Sequence, residues 1–591
     1  MPTVPVERDQ LFKLLGKEYT DEEFDELCFD FGIELDEVTS EKGIIAKEQG
    51  EDKAETASDK VIYKIDVPAN RYDILCIEGL SRSLLVFLQK IKAPRYNLSK
   101  PDGPLQRLVI SKQTAQVRPY CVAAVLRDIT LTQEAYNSFI ELQDKLHQNI
   151  CRKRSLVAIG THDLDTMKGP FLYDARSPGD IKFVPLNKEK EYTAVELMDL
   201  YQSDNQLKHY LHIIKDKPVY PIIYDSNGVV LSMPPIINGN HTKITLNTKN
   251  IFIESTATDL RKAEIVLDTL VTMFSVYCRK KFVVEPVEVE RPDGSVVLYP
   301  KLNYRHETIS VEETNIKVGI QESAERIADL LTKMCLNSEV KENGKTIDVE
   351  IPPTRADVIH ACDIMEDVAI AYGYNNIEET IPKSMTIANQ FPLNKLCDLL
   401  KAEVVQAGYT EALTFALCSR DDVADKLNKS FESTKAVEIS NPKTQEFQVV
   451  RTTLLPGVLK TISANRKMPL PLKLFEISDI VLQDGGKDVG ARNHRRICAV
   501  NYNKTPGFEV VHGLLDRIMQ LLEVKPSKNE TEKGYYIKAT EDSAFFPGRC
   551  AEVLYSGKSI GVMGVLHPTV LNKFDLNNPC AALEIDLEPF L

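Results

Sequence analysis

The segment at 351–374, IPPTRADVIHACDIMEDVAIAYGY, crowds the carboxylates of Asp357, Asp363, Glu366 and Asp367 around the start of an otherwise apolar helix. Asp363, Glu366 and Asp367 stand at i, i+3 and i+4 and share one helix face. Like charges there cost roughly 0.2–0.5 kcal/mol per pair unless a cation or a basic group sits among them. Clustered carboxylate oxygens are what Mg²⁺ prefers. The alternative is a solvated acidic first turn that complements the helix dipole. Spacing alone leaves both open. The motif has an echo at 66–84, DVPANRYDILCIEGLSRSL, and both copies read acid, aliphatic, Pro, two residues, Arg, one residue, Asp, then an apolar segment. Such a repeat implies one kind of junction used in two places.

A second set of candidates is spread over 156–259. His162 follows an apolar run in AIGTHDLDT beside Asp163 and Asp165, as a pocket edge at a strand end would, or as a capped turn with a surface histidine. Asn238, His241, Glu254 and Asp259 fall near predicted strand ends in MPPIINGNHTKIT and IFIESTATD. Singly each reads as structural; together they signal a pocket. The basic runs Arg152-Lys153-Arg154 and Arg279-Lys280-Lys281 sit at predicted helix ends, where the dipole favours cations. In an acidic chain they are also the places for a nucleic acid to touch. Gly557-Lys558-Ser559 imitates the end of a phosphate loop, but Glu552 stands where glycine is needed and the segment lies between strands. No metalloprotease, serine-hydrolase or kinase signature is present.

The elements that must position these residues follow from the pattern of the chain. At 591 residues it holds about four domains on a prior of roughly 150 residues each. The apolar and charged shares, 43% and 27%, are those of a globular protein, and no apolar run reaches the ~18 residues of a membrane span. The opening MPTVPVERDQ lacks the core of a secretory signal. Twelve scattered cysteines without a C-x-x-C imply a reduced, cytoplasmic setting. The net charge of -14 disfavours a whole-surface nucleic-acid binder.

The fold class is α+β multidomain. An N-terminal α/β module spans 1–92: helices within 6–30 with Thr20 and Glu23 at capping-box spacing, a polar loop at 41–60, a strand at 61–67 and a helix at 74–88. A linker at 93–116 is marked by Pro94 and Pro101. An α+β domain spans 117–284, with a hairpin turn at Ser226-Asn227-Gly228. A Pro/Gly/Glu-rich passage at 285–300 then separates a winged-helix-like module at 300–378. That module has a helix near 322–335, a turn at Asn343-Gly344, a strand at 346–351 and the acidic helix. Residues 385–591 start with a helix at 393–406. Strands ALTFAL, LKLFEISDIVL, RICAVNY, CAEVLYSG and ALEIDL follow, predicting an antiparallel sheet flanked by helices.

Taken together, VPANRYDILCIEGL, IPPTRADVIHACDIMEDVAIAYGYNNI, ISNPKTQEFQVVRTTLLPGVL, LKLFEISDIV and FFPGRCAEV resemble the beta-subunit family of phenylalanyl-tRNA synthetases, and both chain ends resemble its eukaryotic cytosolic type. The resemblance covers essentially the whole chain. It implies an (αβ)₂ heterotetramer whose alpha subunit binds ATP and phenylalanine and joins phenylalanine to its tRNA. It implies an inactive class II synthetase-like domain at 385–591. Ser440-Asn441-Pro442 and Arg451-Thr452-Thr453 stand where the second class II motif belongs, without its Glu, and only Arg549 remains near the third. It implies a Mg²⁺ site in the small module, shared between subunits, with the pattern R-x-D-x₅-D-x-x-E-D on Asp357, Asp363, Glu366 and Asp367. The echo lacks the E-D pair and carries no such expectation.

For 117–284 the resemblance implies a tRNA-editing domain that hydrolyses tyrosine attached to the phenylalanine tRNA. A phenylalanine pocket rejects an added hydroxyl by only about 100-fold, whereas a site that hydrogen-bonds it discriminates by roughly 10⁴–10⁵. Glu254 or Asp259 would accept the tyrosine hydroxyl, with Asn238 and His162 orienting the ester or a water. The alternative is an architectural subunit whose editing site has decayed. Unlike the bacterial branch, the chain has no inserted oligonucleotide-fold segment near residue 40 and no anticodon-binding domain after ALEIDLEPFL, so tRNA contacts are expected largely from the partner.

Overall fold

The computed structural model describes residues 2–43, 59–101, 103–384, 386–528 and 533–591, so most of the polar loop expected at 41–60 lies outside the described residues. The chain divides into two compact units, Met1–Ile381 and Pro382–Leu591.

The first unit opens with β1 (Thr3–Glu7), α1 (Arg8–Leu15), α2 (Asp21–Phe31), β2 (Glu34–Ser40), β3 (Val61–Asp66) and α3 (Ile77–Phe87). Its three strands are antiparallel with β3 in the middle. Gly16 ends α1 in the left-handed region (φ 66°), and Thr20 and Glu23 close a capping box on α2.

An eleven-stranded sheet follows. Its elements are β4 (Gln106–Ile110), β5 (Tyr120–Leu126), α4 (Gln133–Gln148), β6 (Val157–Asp163), β7 (Phe171–Arg176), β8 (Tyr220–Tyr224), β9 (Val230–Met233), β10 (Ile237–Asn238), β11 (Ile251–Ala257), α5 (Leu260–Phe274), β12 (Val283–Glu290) and β13 (Val296–Tyr299). Nine strands run in the order β10-β9-β8-β7-β4-β12-β5-β11-β6, while β13 and the short Asn97–Leu98 strand also pair with β12. β8 and β9 are the hairpin expected around Asn227. β6 is an edge strand, and α4 and α5 pack on it.

Two stretches read as connectors are sheet. Within the supposed linker at 93–116, β4 runs parallel to β7 on one side and β12 on the other. The supposed separator at 285–300 holds most of β12 and all of β13. Charge disguised it: Glu285 is buried because Arg127 forks onto both its oxygens, at 2.8 and 2.5 Å.

The unit closes with β14 (Arg305–Ser310), α6 (Val311–Val318), α7 (Ala324–Lys333), β15 (Asn337–Lys341), β16 (Thr346–Ile351) and α8 (Ala361–Tyr372). This is the N-terminal module's order, element for element. The middle strand is again the third, Gly319 ends α6 in the left-handed region (φ 84°), and Ser323 caps α7. The two modules contact each other reciprocally, α2 on α8 and α7 on α3, as two copies about a local two-fold would. The shared sequence motif thus marks a repeated fold.

The second unit contains α9 (Pro392–Gln406), α10 (Leu455–Ala464), β17 (Leu472–Gln483), β18 (Ala491–Tyr502), α11 (Phe508–Leu521), β19 (Tyr535–Ala539), β20 (Phe545–Tyr555), β21 (Lys558–Leu566) and β22 (Cys580–Asp586). Its sheet runs Thr410–Glu411, β17, β18, β22, β21, β20, β19, antiparallel except at the first pair. α9 and α11 cover one face, and α10 helps build the core on the other. ALTFAL is not the strand its alternation predicts. Leu413 and Phe415 are 82% and 80% exposed on an irregular surface segment.

Candidate functional site

At the free edge of β6 lies a cavity of about 450 Å³, walled by α4, β6, the 186–188 and 201–207 loops and the 234–238 segment. The turn after α4 builds it. Arg152, Lys153 and Arg154 are successive left-handed residues, with φ of 48°, 52° and 63°, a conformation costing roughly 1–2 kcal/mol each. The reversal brings Lys153 N–H onto the His147 carbonyl at 2.7 Å and lays β6 beside α4. The Arg154 side chain donates to the carbonyls of Pro235 and Ile236, at 3.3 and 3.2 Å, and its Cζ stands 4.4 Å from the Tyr210 ring centre. Of this basic run only Arg154 is cavity wall, while Arg152 and Lys153 are exposed.

Glu254, on β11, is one of three carboxylates of the wall, with Asp144 and Asp204, and is 1% exposed. Its Oε1 accepts from Ser232 Oγ at 2.9 Å, and its Oε2 has no partner among the described residues. It is not at a strand end as expected but in mid-strand, opposite Gly160. Asn238, on β10, lines the same cavity.

His162 is fully buried behind Glu254, neither a surface histidine nor a cavity wall. Its Nδ1 meets Thr242 Oγ1 at 2.7 Å, and its Nε2 lies 3.8 Å from Glu254 Oε1, too far for a hydrogen bond. Asp259 is elsewhere: it caps α5, accepting from Lys262 N–H at 3.1 Å, because a short acid before an apolar helix satisfies the orphan amides. His241 is exposed, with Nε2 on the Thr166 carbonyl at 2.8 Å. Of the predicted set, Glu254 and Asn238 share the cavity, His162 backs it, and Asp259 and His241 do not belong to it.

Other groups complete the wall. The Tyr201 hydroxyl, pushed up to about 12 by burial, has no partner among the described residues. Burial raises the Asp144 carboxyl above its usual range. His147 is 4% exposed, and burial, with Arg154 and Arg118 nearby, holds it well below the usual imidazole range and so neutral. A histidine inside an amphipathic helix reads as core, so nothing flagged it; a lone glycine inside an apolar strand could have flagged Gly160.

The acidic motif is arranged differently from its expectation. Arg355, 2% exposed, donates to Asp357 at 3.0, 3.2 and 2.7 Å, to Asp367 at 2.6 Å and to the Met334 carbonyl at 2.7 Å. Burial alone would raise the Asp357 carboxyl, but Arg355 outweighs it and holds it below its usual range. Asp363 Oδ2 accepts from the Ile359 and His360 amides, at 2.8 and 2.9 Å, in a capping box at the start of α8. Glu366 is exposed. Among the described residues no three His, Cys, Asp or Glu side chains gather to hold a cation. The donor set of this chain by itself does not fit a four-carboxylate Mg²⁺ site: the cation among the acids is the motif's own arginine. In the echo, Arg71 forks onto Asp73 at 2.8 and 2.8 Å and lies over the Phe31 ring.

In the second unit Arg451 is likewise committed. Its Nε donates to the Asp479 carbonyl at 2.8 Å and its Nη1 to Glu476 at 2.7 Å and to Thr414 Oγ1 at 3.1 Å. Arg549 is exposed on β20.

Family comparisons accord with this layout. The Phe-tRNA synthetase beta subunit B1 domain matches residues 1–90, the B3/4 domain 107–278, the tRNA synthetase B5 domain 307–374 and the Phenylalanyl tRNA synthetase beta chain CLM domain 377–587. The chain is 68% identical to the phenylalanine–tRNA ligase beta subunit of Mus musculus and 66% to that of Homo sapiens, over the full length of both chains in each case. It is 49% identical to the cytoplasmic one of Arabidopsis thaliana, again over the full length of both. A crystal structure of an N-terminal fragment of the Pyrococcus horikoshii beta subunit covers 63% of this chain and 100% of its own, at 31% identity and a TM-score of 0.55. No helix among the described residues is long and apolar enough to cross a membrane. The chain belongs to the family of phenylalanine–tRNA ligase beta subunits.

Proposed function

We propose that this chain is the editing-competent, non-synthetic subunit of a phenylalanine–tRNA ligase. It assembles with an alpha subunit as an (αβ)₂ heterotetramer in the cytoplasm, and it hydrolyses tyrosine attached to the phenylalanine tRNA. Two features support dependence on the partner for synthesis. Arg451 is bound to Glu476 and Thr414, so it does not face a nucleotide phosphate, which acyl-adenylate chemistry requires. The exposed Leu413 and Phe415 suit a surface that a partner chain covers. Mg²⁺, with Asp357, Asp363, Glu366 and Asp367 among its ligands, belongs to this reading only as a site completed by the alpha subunit, and no step here is derived through it.

The observation that carries the editing reading is Glu254 Oε2, a buried acceptor without a partner in the wall of a cavity otherwise rich in apolar groups. An acceptor fixed there binds the phenolic O–H of tyrosine, and phenylalanine leaves it unpaired. Asn238, on the same wall, would orient the ester, and His162 lies behind Glu254 with Nε2 3.8 Å from its Oε1.

The test gives the reconstituted complex pre-formed Tyr-tRNA. The wild type should hydrolyse it far faster than Phe-tRNA, and Glu254→Ala, which removes the acceptor, should abolish that preference while leaving Phe-tRNA synthesis intact. Tyr-tRNA that survives the wild-type complex would leave an architectural subunit with a decayed site.

A further inference from the structure

We propose that His147 is a catalytic residue of the deacylation, donating a hydrogen bond from Nδ1 to the ester carbonyl oxygen as that oxygen gains negative charge; this deepens, and rests on, the deacylase reading above. The argument begins at the sheet edge. β6 has no neighbouring strand on its outer side, so its outward amides need other partners. The Ile159 amide finds one in His147, donating to Nε2 at 3.0 Å.

That bond fixes the tautomer. A backbone amide can only donate, so Nε2 carries no proton, and a neutral imidazole then carries its proton on Nδ1. Burial keeps the ring neutral, as described above. Nδ1–H is therefore an obligatory donor. It is buried, has no partner among the described residues, and belongs to a side chain lining the same cavity as Glu254 and Asn238.

The other unpaired donors of the cavity serve less well. Tyr201 can rotate its hydroxyl and act as donor or acceptor. Arg154 is anchored through Nη1 to two carbonyls with its guanidinium against Tyr210. His147 alone is a donor whose identity and direction are set by a backbone bond, which is the kind of preorganisation that stabilises an oxyanion.

The step balances as ester hydrolysis. Water adds its oxygen to the acyl carbon, and the carbonyl π pair moves onto oxygen, where His147 stabilises it. Collapse breaks the bond to the ribose oxygen, which takes a proton that came from the water. The products are free tyrosine, as its carboxylate with one proton released to solvent, and tRNA with its hydroxyl restored.

The test uses the reconstituted complex and pre-formed Tyr-tRNA. His147→Leu should lower kcat about 10²–10³-fold, the loss seen on removing one oxyanion donor. KM should stay within about twofold, and Phe-tRNA synthesis should be unchanged. His147→Gln offers both an acceptor for Ile159 and an N–H donor, and should recover a substantial part of the rate. His147→Glu keeps the acceptor without the donor and should not. If the leucine variant fails to assemble, the Gln-to-Glu comparison decides: equal rates overturn the proposal. A leucine variant that deacylates normally, or loses activity through KM alone, overturns it too. A wild-type complex inert toward Tyr-tRNA overturns the deacylase reading itself, and this one with it.

Discussion

Gly160 on β6 and Glu254 on β11 are cross-strand partners, and the carboxylate lies over the glycine's bare α-carbon. A Cβ on Gly160 would overlap Glu254 Oε1 and stand 2.7 Å from its Cδ and 3.1 Å from His162 Nε2. Gly160→Ala should therefore push Glu254 from its place without touching any ligand. Misplacement by about 1 Å can cost roughly 10²-fold in rate. Tyr-tRNA hydrolysis by the complex should fall on that order, and Phe-tRNA synthesis should hold. Normal hydrolysis by the alanine variant would show that the carboxylate's position is immaterial.

Arg355 compensates two buried carboxylates, so Arg355→Met should cost about 3–5 kcal/mol, the price of leaving buried charges unpaired. Asp363→Ala, which removes a helix cap, should cost only about 1 kcal/mol. Urea unfolding of both variants checks the contrast, and similar losses would mean that Arg355 is not the keystone of the motif.

Because Arg355 already neutralises Asp357 and Asp367, the chain without its partner should not respond to magnesium. A site filled to a hundred times its Kd would add about 2.7 kcal/mol. Thermal melting of the lone full chain in EDTA and in millimolar Mg²⁺ should give the same midpoint. A clear upward shift with Mg²⁺ would place a complete site within this subunit.

Asp268 on α5 has a buried oxygen, Oδ1, with no partner among the described residues. Burial pushes its carboxyl up to about 8; Glu264 adds to the rise, while the Leu302 amide and Lys301 oppose it. The unfolded carboxyl titrates near 3.9. Between about pH 4 and 8 the folded chain thus holds a proton that the unfolded chain has released, so stability falls as pH rises through that window and levels off above it. One proton gives a slope of up to about 1.4 kcal/mol per pH unit. Asp268→Asn should flatten this part of the profile, measured as urea midpoints at pH 5 and 7.5; an unchanged slope would assign it to other groups.

What the sequence revealed was local. Thr20 with Glu23 foretold a capped helix, Asn227-Gly228 and Asn343-Gly344 foretold hairpins, and the repeated Arg-x-Asp motif foretold one junction used twice, though not that the whole modules around it share a fold. What it concealed depended on distant partners. β12 looked too charged for a core strand because its Glu285 is matched by Arg127, 158 residues away. The alternation of Leu413 and Phe415 looked like a buried strand because exposure leaves no mark on residue type. At the candidate site, the sequence pattern places Asn238 and Glu254 near strand ends, and both line the cavity although Glu254 stands in mid-strand. His147 was not legible, since only the fold shows that one imidazole nitrogen is spoken for by a strand. The acidic motif misled for a related reason: its spacing shows carboxylates sharing a helix face, but not that an arginine from the preceding turn folds back between two of them.

The outer margin of β6 has a last consequence. Unpaired strand borders invite other chains to zip onto them, and proteins blunt that hazard by covering or interrupting them. Here α4 and its histidine cover the border, claiming an amide that a stray strand would otherwise seize. A substitution that frees Ile159 from His147 would thus endanger solubility as well as chemistry, and aggregation on prolonged storage would be its earliest symptom.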